Sequence, residues 1–423
     1  MTGSFALMKQ RRFLPLFVTQ FLNAFNDNFY KMAVVMLATY AIYTSPTDVA
    51  WFNALVGGLF ILPFFLFSAL AGQLADSNDK AAMIRIIKTA EILIMLVGGV
   101  GIWLHNVPLM LVALFSMGMH STFFGPIKYA ILPQHLKEDE VLSGTGWVEA
   151  GTYIAILGGT IAGGLIHPKI AIFGIFAVAI IGRITASYVP PAPPEKEAEG
   201  LVIDRNVFRS SWQIVNGTMH IPRLFLAIVS ISFFWAIAAI LAAQFPPLVK
   251  DTLGADNTVA TVFTAVFSVG VAIGSIIVNR LLKGHVSARY SPGSVIVMGL
   301  FVLDLWWVVG SWQHADASLM NWREFLSIRT GDRIIFDLLG IAIAGGMFVV
   351  PLYAFLTTTV AKSQTARTVA ANNIVNSGFM VAATLLLGVL IALGLTIDDT
   401  LLMVAVMCLV SAWLAWKLHK ACD

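Results

Sequence analysis

Asn23, Asp27 and Lys31 carry the first chemical signal in this sequence. At i, i+4 and i+8 they share one face of a helix, with Asn26, Asn28 and Tyr30 close by in the same turns. The stripe sits inside an apolar run near residues 13–40. A charge in hydrocarbon costs about 3 kcal/mol on insertion scales, so it is kept where it meets a cavity, a partner or a substrate. Two readings follow: a buried acid–base pair that fixes helix packing, or a point on a transport pathway. Intramembrane charges favour the second.

Further polar residues interrupt other apolar runs. Glu149 and Tyr153 lie four residues apart, again on one helix face. A lone carboxylate there suits a cavity or a gate. Lys128 and Tyr129 follow Gly125-Pro126-Ile127, where Lys128 could equally snorkel to an interface. His120 with Ser121 and Thr122, and Asp304 before Trp306 and Trp307, read more simply as satisfied interior groups. Asn372 and Asn376 either line a pathway or hydrogen-bond across helices.

These residues need long helices to hold them, and the composition supplies those. The chain has 423 residues, 58% hydrophobic and 12% charged, with mean hydropathy +0.84. Soluble domains carry about 25% charged residues, so the bilayer must be the solvent. The net charge of +3 is small and dispersed, which leaves no nucleic-acid footprint. Cys408 and Cys422 have no metal-ligand spacing and no expected disulfide. No metal or cofactor is expected. Lys9, Arg11 and Arg12 precede the first run without a cleavage pattern, which suits a retained first helix.

Runs of about 20 apolar residues, each long enough to span, recur about twelve times in two sets of six. The expected architecture is an all-α polytopic membrane protein. Residues 1–189 form one six-helix bundle, 190–222 a polar linker, and 223–423 a second bundle. The linker opens Pro190-Pro191-Ala192-Pro193-Pro194 and holds a mildly amphipathic stretch near Val207–Met219 suited to a membrane surface. Lys and Arg are more frequent in the segments that would be cytoplasmic if both termini are inside, although Arg323, Arg329 and Arg333 share the outer loop 314–333 against that rule. Weak echoes suggest duplication. Pro126-Ile127-Lys128-Tyr129-Ala130 parallels Pro351-Leu352-Tyr353-Ala354, and Gly159-x-x-x-Gly163 parallels Gly270-x-x-x-Gly274. Small residues at this spacing let helices approach closely.

Gly72-Gln73-Leu74-Ala75-Asp76-Ser77-Asn78-Asp79-Lys80 follows the second run. Gly72 permits tight packing, and Asp76 could cap the third helix or pair with a cation on a neighbour. The segment resembles the loop signature of the major facilitator superfamily, with Ser77 and Asp79 in place of the usual Arg and Gly. Other segments resemble the bacterial lysophospholipid transporters: Gln20 to Asn28 their first helix, Phe124 to Pro133 their fourth, Val148 to Thr152 with Gly158 to Gly164 their fifth, and Val349 to Tyr353 their tenth. The likeness is greatest to the transporter region that some bacteria fuse to an acyltransferase and an acyl-carrier-protein synthetase.

That resemblance implies the major facilitator fold and movement of lysophospholipids such as lysophosphatidylethanolamine from the outer to the inner leaflet of the bacterial inner membrane for reacylation. It implies alternating access with lateral lipid entry, a monomer, and a fused or associated acyltransferase/acyl-ACP synthetase as partner. Its functional acid and base positions carry over to Asp27, Lys128 and Glu149. One departure stands out. Relatives of the single-domain kind carry an Arg in helix seven after a Phe-Trp pair, whereas Phe234-Trp235 leads here to Ala236 through Ala243 and then Gln244. Lys31 could then provide the cation for Asp27. The expected substrate or gating set is Asn23, Asp27, Asn28, Lys31, Lys128, Tyr129, Glu149, Tyr153, Asn372 and Asn376, with Gly72, Asp76 and Lys80 as a conformational loop. Catalysis is not expected, because His135 is followed five residues on by Glu140 and no other His has Asp at that offset. Two other readings remain open: a proton-coupled drug or siderophore exporter, and a membrane scaffold for an acyltransferase.

Overall fold

The computed structural model describes residues 6–44, 46–312 and 319–422, although the Cys422 side chain and part of the loop 314–333 lie outside the described residues. Twelve long helices dominate. They are α1 (Leu14–Leu37), α2 (Pro46–Ser77), α3 (Lys80–Trp103), α4 (Val107–Ala130), α5 (Glu138–Leu165), α6 (Pro168–Ala186), α7 (Pro222–Pro247), α8 (Asn257–Leu282), α9 (Ser291–Gly310), α10 (Arg329–Thr358), α11 (Thr365–Ala392) and α12 (Ile397–Cys422). Among the described residues, eleven of them, α2 to α12, are long and apolar enough to cross a membrane. α1 is long enough at 24 residues, and its Asn, Asp and Lys lower its hydropathy below that of the rest.

Local chemistry sets the helix starts. Asp79 caps α3 by accepting from the Ala82 N–H, and Asn106 caps α4 by accepting from the Leu109 N–H. Glu140 reaches back to the Lys137 N–H at the start of α5. Pro15, Pro108, Pro168, Pro222 and Pro292 occupy first-turn positions, where a missing N–H costs nothing.

The chain forms two compact units. The first takes the residues up to Met219 together with Leu356–Ile374, and the second takes His220–Phe355 with the residues from Val375 onward. In the first unit α1 lies along α5 and α6, α2 along α4, and α3 against both α4 and α6. Phe29, Tyr30, Val34, Met95, Met117 and Ile175 form its apolar core. The α1–α5 contact is close because of Gly159 and Gly163: a Cβ at either would collide with the backbone of Phe25 or Phe29. In the second unit α12 packs on α9 and α7, and Gly270 and Gly274 of α8 meet Ala342 and Ile343 of α10 in the same way. Both small-residue pairs read from the sequence therefore sit at helix crossings.

The linker helix Val207–Met219 rests on α2. Gln73 holds its lead-in by accepting from the Asp204 N–H at 2.9 Å. Phe208 and Trp212 are exposed on its outer side. The Pro-rich start of the linker is tied to α3 through the Ala192 N–H, which donates to Asp79 Oδ2 at 3.0 Å, and through the Lys80 N–H, which donates to the Ala192 carbonyl.

Candidate functional site

Helices α1, α3 and α4 bring a polar cluster into the interior of the first unit. Asp27 accepts hydrogen bonds from Ser121 and, at 3.3 Å, from Asn23. Asn23 in turn donates to Ser121 Oγ at 3.1 Å and accepts from Lys88 Nζ at 3.4 Å. Lys88 forms an ion pair with Glu91 one turn on, both side chains wholly buried. Glu91 also accepts from Asn26 Nδ2 at 2.7 Å and lies 3.4 Å from His120 Nε2. The helical spacing explains the arrangement: Asn23 and Asp27 share one face of α1, and Lys88 and Glu91 share one face of α3. Two carboxylates, one ammonium and one imidazole thus meet away from water, where only mutual pairing offsets the desolvation of each charge. Asp27 Oδ1 and Asn26 Oδ1 are buried with no hydrogen-bond donor among the described residues.

A second group joins α4 to α5. The Tyr129 hydroxyl donates to Glu149, and Lys128 Nζ lies 4.8 Å from the Tyr129 ring centre. Glu149 is 1% exposed and Tyr153, one turn along, is also buried. A cation, a phenol and a carboxylate from the expected set therefore come together in the first unit.

Other expected residues sit differently. Lys31 makes no ion pair with Asp27 within 4 Å among the described residues: its Nζ lies over the Phe60 ring at 5.4 Å. Lys88 is the cation hydrogen-bonded into the Asp27 network, through Asn23. Asn28 turns back on its own helix and donates to the Ala24 carbonyl at 2.8 Å. Asn372, in the first unit, is wholly buried, and neither its amide nitrogen nor its oxygen has a hydrogen-bond partner among the described residues. Asn376, in the second unit, accepts from Ser232 Oγ at 2.7 Å and donates to the Tyr353 hydroxyl at 3.5 Å, which also accepts from Trp235 Nε1 at 2.9 Å. The echo of Pro126…Tyr129 and Pro351…Tyr353 in the two halves thus places a tyrosine hydroxyl in a buried polar network in each unit.

The loop motif departs from expectation in one respect. Asp76 does not cap α3, a role Asp79 fills. It caps α11 instead: its carboxylate accepts from the Ala366 N–H at 3.0 Å, the Arg367 N–H at 3.1 Å and Arg367 Nε at 2.9 Å. Gly72 faces the same turn, where an added Cβ would come 2.7 Å from the Ala370 Cβ. Lys80 is buried, with its backbone on the linker. In the second unit Asp304 pairs with Arg333, Nε to Oδ2 2.9 Å, so Arg333 belongs to helix α10 and not to a loop.

Lys88, Glu91 and the Asp304 partner Arg333 escaped sequence reasoning. Lys88 and Glu91 were detectable as two charges inside an apolar run at i, i+3, the same signal that singled out Asp27.

Comparison with known proteins fits this geometry. The profile of the Major Facilitator Superfamily matches residues 16–375. A protein of Salmonella paratyphi B named Lysophospholipid transporter LplT is 28% identical over 353 residues, covering 81% of this chain and 78% of its own. A Citrobacter koseri protein of the same name is 26% identical, with 81% and 79% covered. Among solved structures, the human organic anion transporter MFSD10 aligns over 96% of this chain and 99% of its own, with TM-score 0.74 at 11% identity. A bacterial homologue of the iron transporter ferroportin, in an outward-facing state, aligns over 97% and 100%, with TM-score 0.70 at 13% identity. At those identities the structures speak for the fold. The matched profile covers most of the sequence, and the chain belongs to the major facilitator superfamily.

Proposed function

We propose that this protein is a lysophospholipid transporter that carries its substrate from the outer to the inner leaflet of a bacterial inner membrane, with both termini cytoplasmic, where an acyltransferase restores the second chain. The match along four fifths of the chain to proteins named lysophospholipid transporters carries this reading. The buried chemistry supports it. A lysophosphatidylethanolamine head presents a phosphate and an ammonium, and Lys128 and Glu149 offer a cation and a carboxylate joined by one tyrosine. Asp27 and its neighbours add a second buried polar station on α1. Alternating access of two bundles would expose these groups in turn. A lateral route for the tail is favoured on energetic grounds, since dragging an acyl chain into water costs about 0.8 kcal/mol per CH₂.

The test is reconstitution. In liposomes holding the purified protein, fluorescent lysophosphatidylethanolamine should change leaflet faster than in protein-free liposomes. An unchanged rate, with the protein shown to be folded, overturns the proposal. The titratable cluster of Asp27, Glu91, Lys88 and His120 favours one other reading, a proton-coupled exporter of small molecules. The same liposomes with and without an imposed pH gradient separate the two, because export of that kind stops without the gradient.

A further inference from the structure

A groove in the second unit opens between α9 and α10. Its volume is about 510 Å³, and along most of its length it is walled by apolar side chains such as Val297, Phe301, Phe336, Ile343 and Met347. One end differs. Arg289 and Tyr290 line it there, with the guanidinium 5.7 Å from the tyrosine ring centre. Arg289 is exposed and forms no ion pair among the described residues. No carboxylate is among the groove's lining residues.

The sequence around that end is one-sided in charge. Arg280, Lys283, His285 and Arg289 fall within ten residues, at the turn from α8 to α9. From Asn257 to Leu303 there is no Asp or Glu. The first turn of α9 begins at the same place without a side-chain cap, which adds a small positive potential. Basic at one end and apolar along its length, the groove matches a phosphate joined to an acyl chain. A zwitterionic head would bring an ammonium group for which this end has no carboxylate.

We propose that this groove binds an anionic diacyl phospholipid of the surrounding bilayer, with its phosphate on Arg289 and one acyl chain along α9 and α10. This is a site for a resident lipid, separate from the transported substrate, and it does not rest on the transport reading. Any bilayer tail can fill an apolar groove. The specific content of the proposal is the choice of head group.

The experiment measures lipid binding to the purified full chain in detergent, by native mass spectrometry and thermal shift. The probes are phosphatidylglycerol, phosphatidylcholine with the same acyl chains, and glycerol 3-phosphate. One cation facing one anionic head near a membrane surface corresponds to about a fivefold preference. The wild-type protein should therefore hold phosphatidylglycerol at least about fivefold more tightly than phosphatidylcholine. Arg289→Gln should lower phosphatidylglycerol to the phosphatidylcholine level. Gly293→Phe should weaken both lipids, because Gly293 lines the groove and a Cβ there meets nothing within 4 Å. Glycerol 3-phosphate should have no effect. Equal binding of the two lipids by the wild type, a preference that survives Arg289→Gln, lipid binding unchanged by Gly293→Phe, or stabilisation by glycerol 3-phosphate as strong as by phosphatidylglycerol would each overturn it.

Discussion

Glu91→Gln isolates the ion pair at the centre of the first unit. The change keeps size and an amide oxygen that can still accept from Asn26, but it removes the carboxylate that pairs with Lys88. Lys88 is wholly buried, and its other hydrogen-bond partner is Asn23 Oδ1 at 3.4 Å. Breaking a buried pair by removing one partner costs about 3–5 kcal/mol, chiefly because the remaining charge is stranded. At about 2–4 °C per kcal/mol for a unit of this size, the thermal midpoint should fall by roughly 6–20 °C. Removing both charges is a different perturbation. Lys88→Met combined with Glu91→Leu removes both members of the ion pair together, and buried pairs replaced by apolar residues of similar volume are often neutral. The double variant should regain at least half of the loss. The assay is thermal unfolding in detergent, followed by tryptophan fluorescence, for the wild type, Glu91→Gln, the single variants Lys88→Met and Glu91→Leu, and their double variant. Single variants within about 2 °C of wild type would refute the claim that the pair is desolvated. A double variant at the sum of the single losses would refute the claim that the charges depend on each other.

Other outcomes follow from the packing. Asp76→Ala removes the cap of α11 and the partner of Arg367, and should cost about 1–3 kcal/mol in the same unfolding assay. Gly159→Leu should abolish recovery of folded protein by driving a side chain into the α1 backbone, whereas Gly164→Ala, whose Cβ comes no closer than 3.9 Å to Met32, should be recovered normally by size-exclusion chromatography. Arg209 holds the Asp204 carboxyl below its usual range, so this link contributes above about pH 4 and is lost only as pH falls through the depressed value. Hydrogen exchange of residues 204–209 should therefore be as slow at pH 5 as at pH 7, after correction for intrinsic rates, and uniformly faster in Arg209→Gln.

Much of this arrangement is legible in the sequence where signals are local. Apolar length alone places α2 to α12, and the small-residue spacings mark α5 and α8 as helices that a neighbour can approach closely. Lys128 and Tyr129 are adjacent in sequence, so their association with Glu149 needs only that the end of α4 lies beside Glu149 of α5. Partner choice across helices is less legible. Lys31 shares a face with Asp27 by spacing, yet its long side chain swings to Phe60, while Asp27 accepts from Ser121 of α4. The Asp76 carboxylate could serve any nearby helix start, and only the packing of α2 beside residues 366–370 selects α11. Arg333 reads as a loop residue because charges crowd residues 323–333, although α10 already begins at Arg329.

The central claim rests on leaflet transfer of a one-tailed phospholipid through the buried polar groups. Its most direct measurement is the rate at which fluorescent lysophosphatidylethanolamine changes leaflet in liposomes carrying wild type, Asp27→Asn or Glu149→Gln, each shown to be folded and present at equal density. The account predicts transfer well above the protein-free rate for the wild type and close to that rate for both variants. Wild-type transfer no faster than in protein-free liposomes, or variants as fast as the wild type, would contradict it.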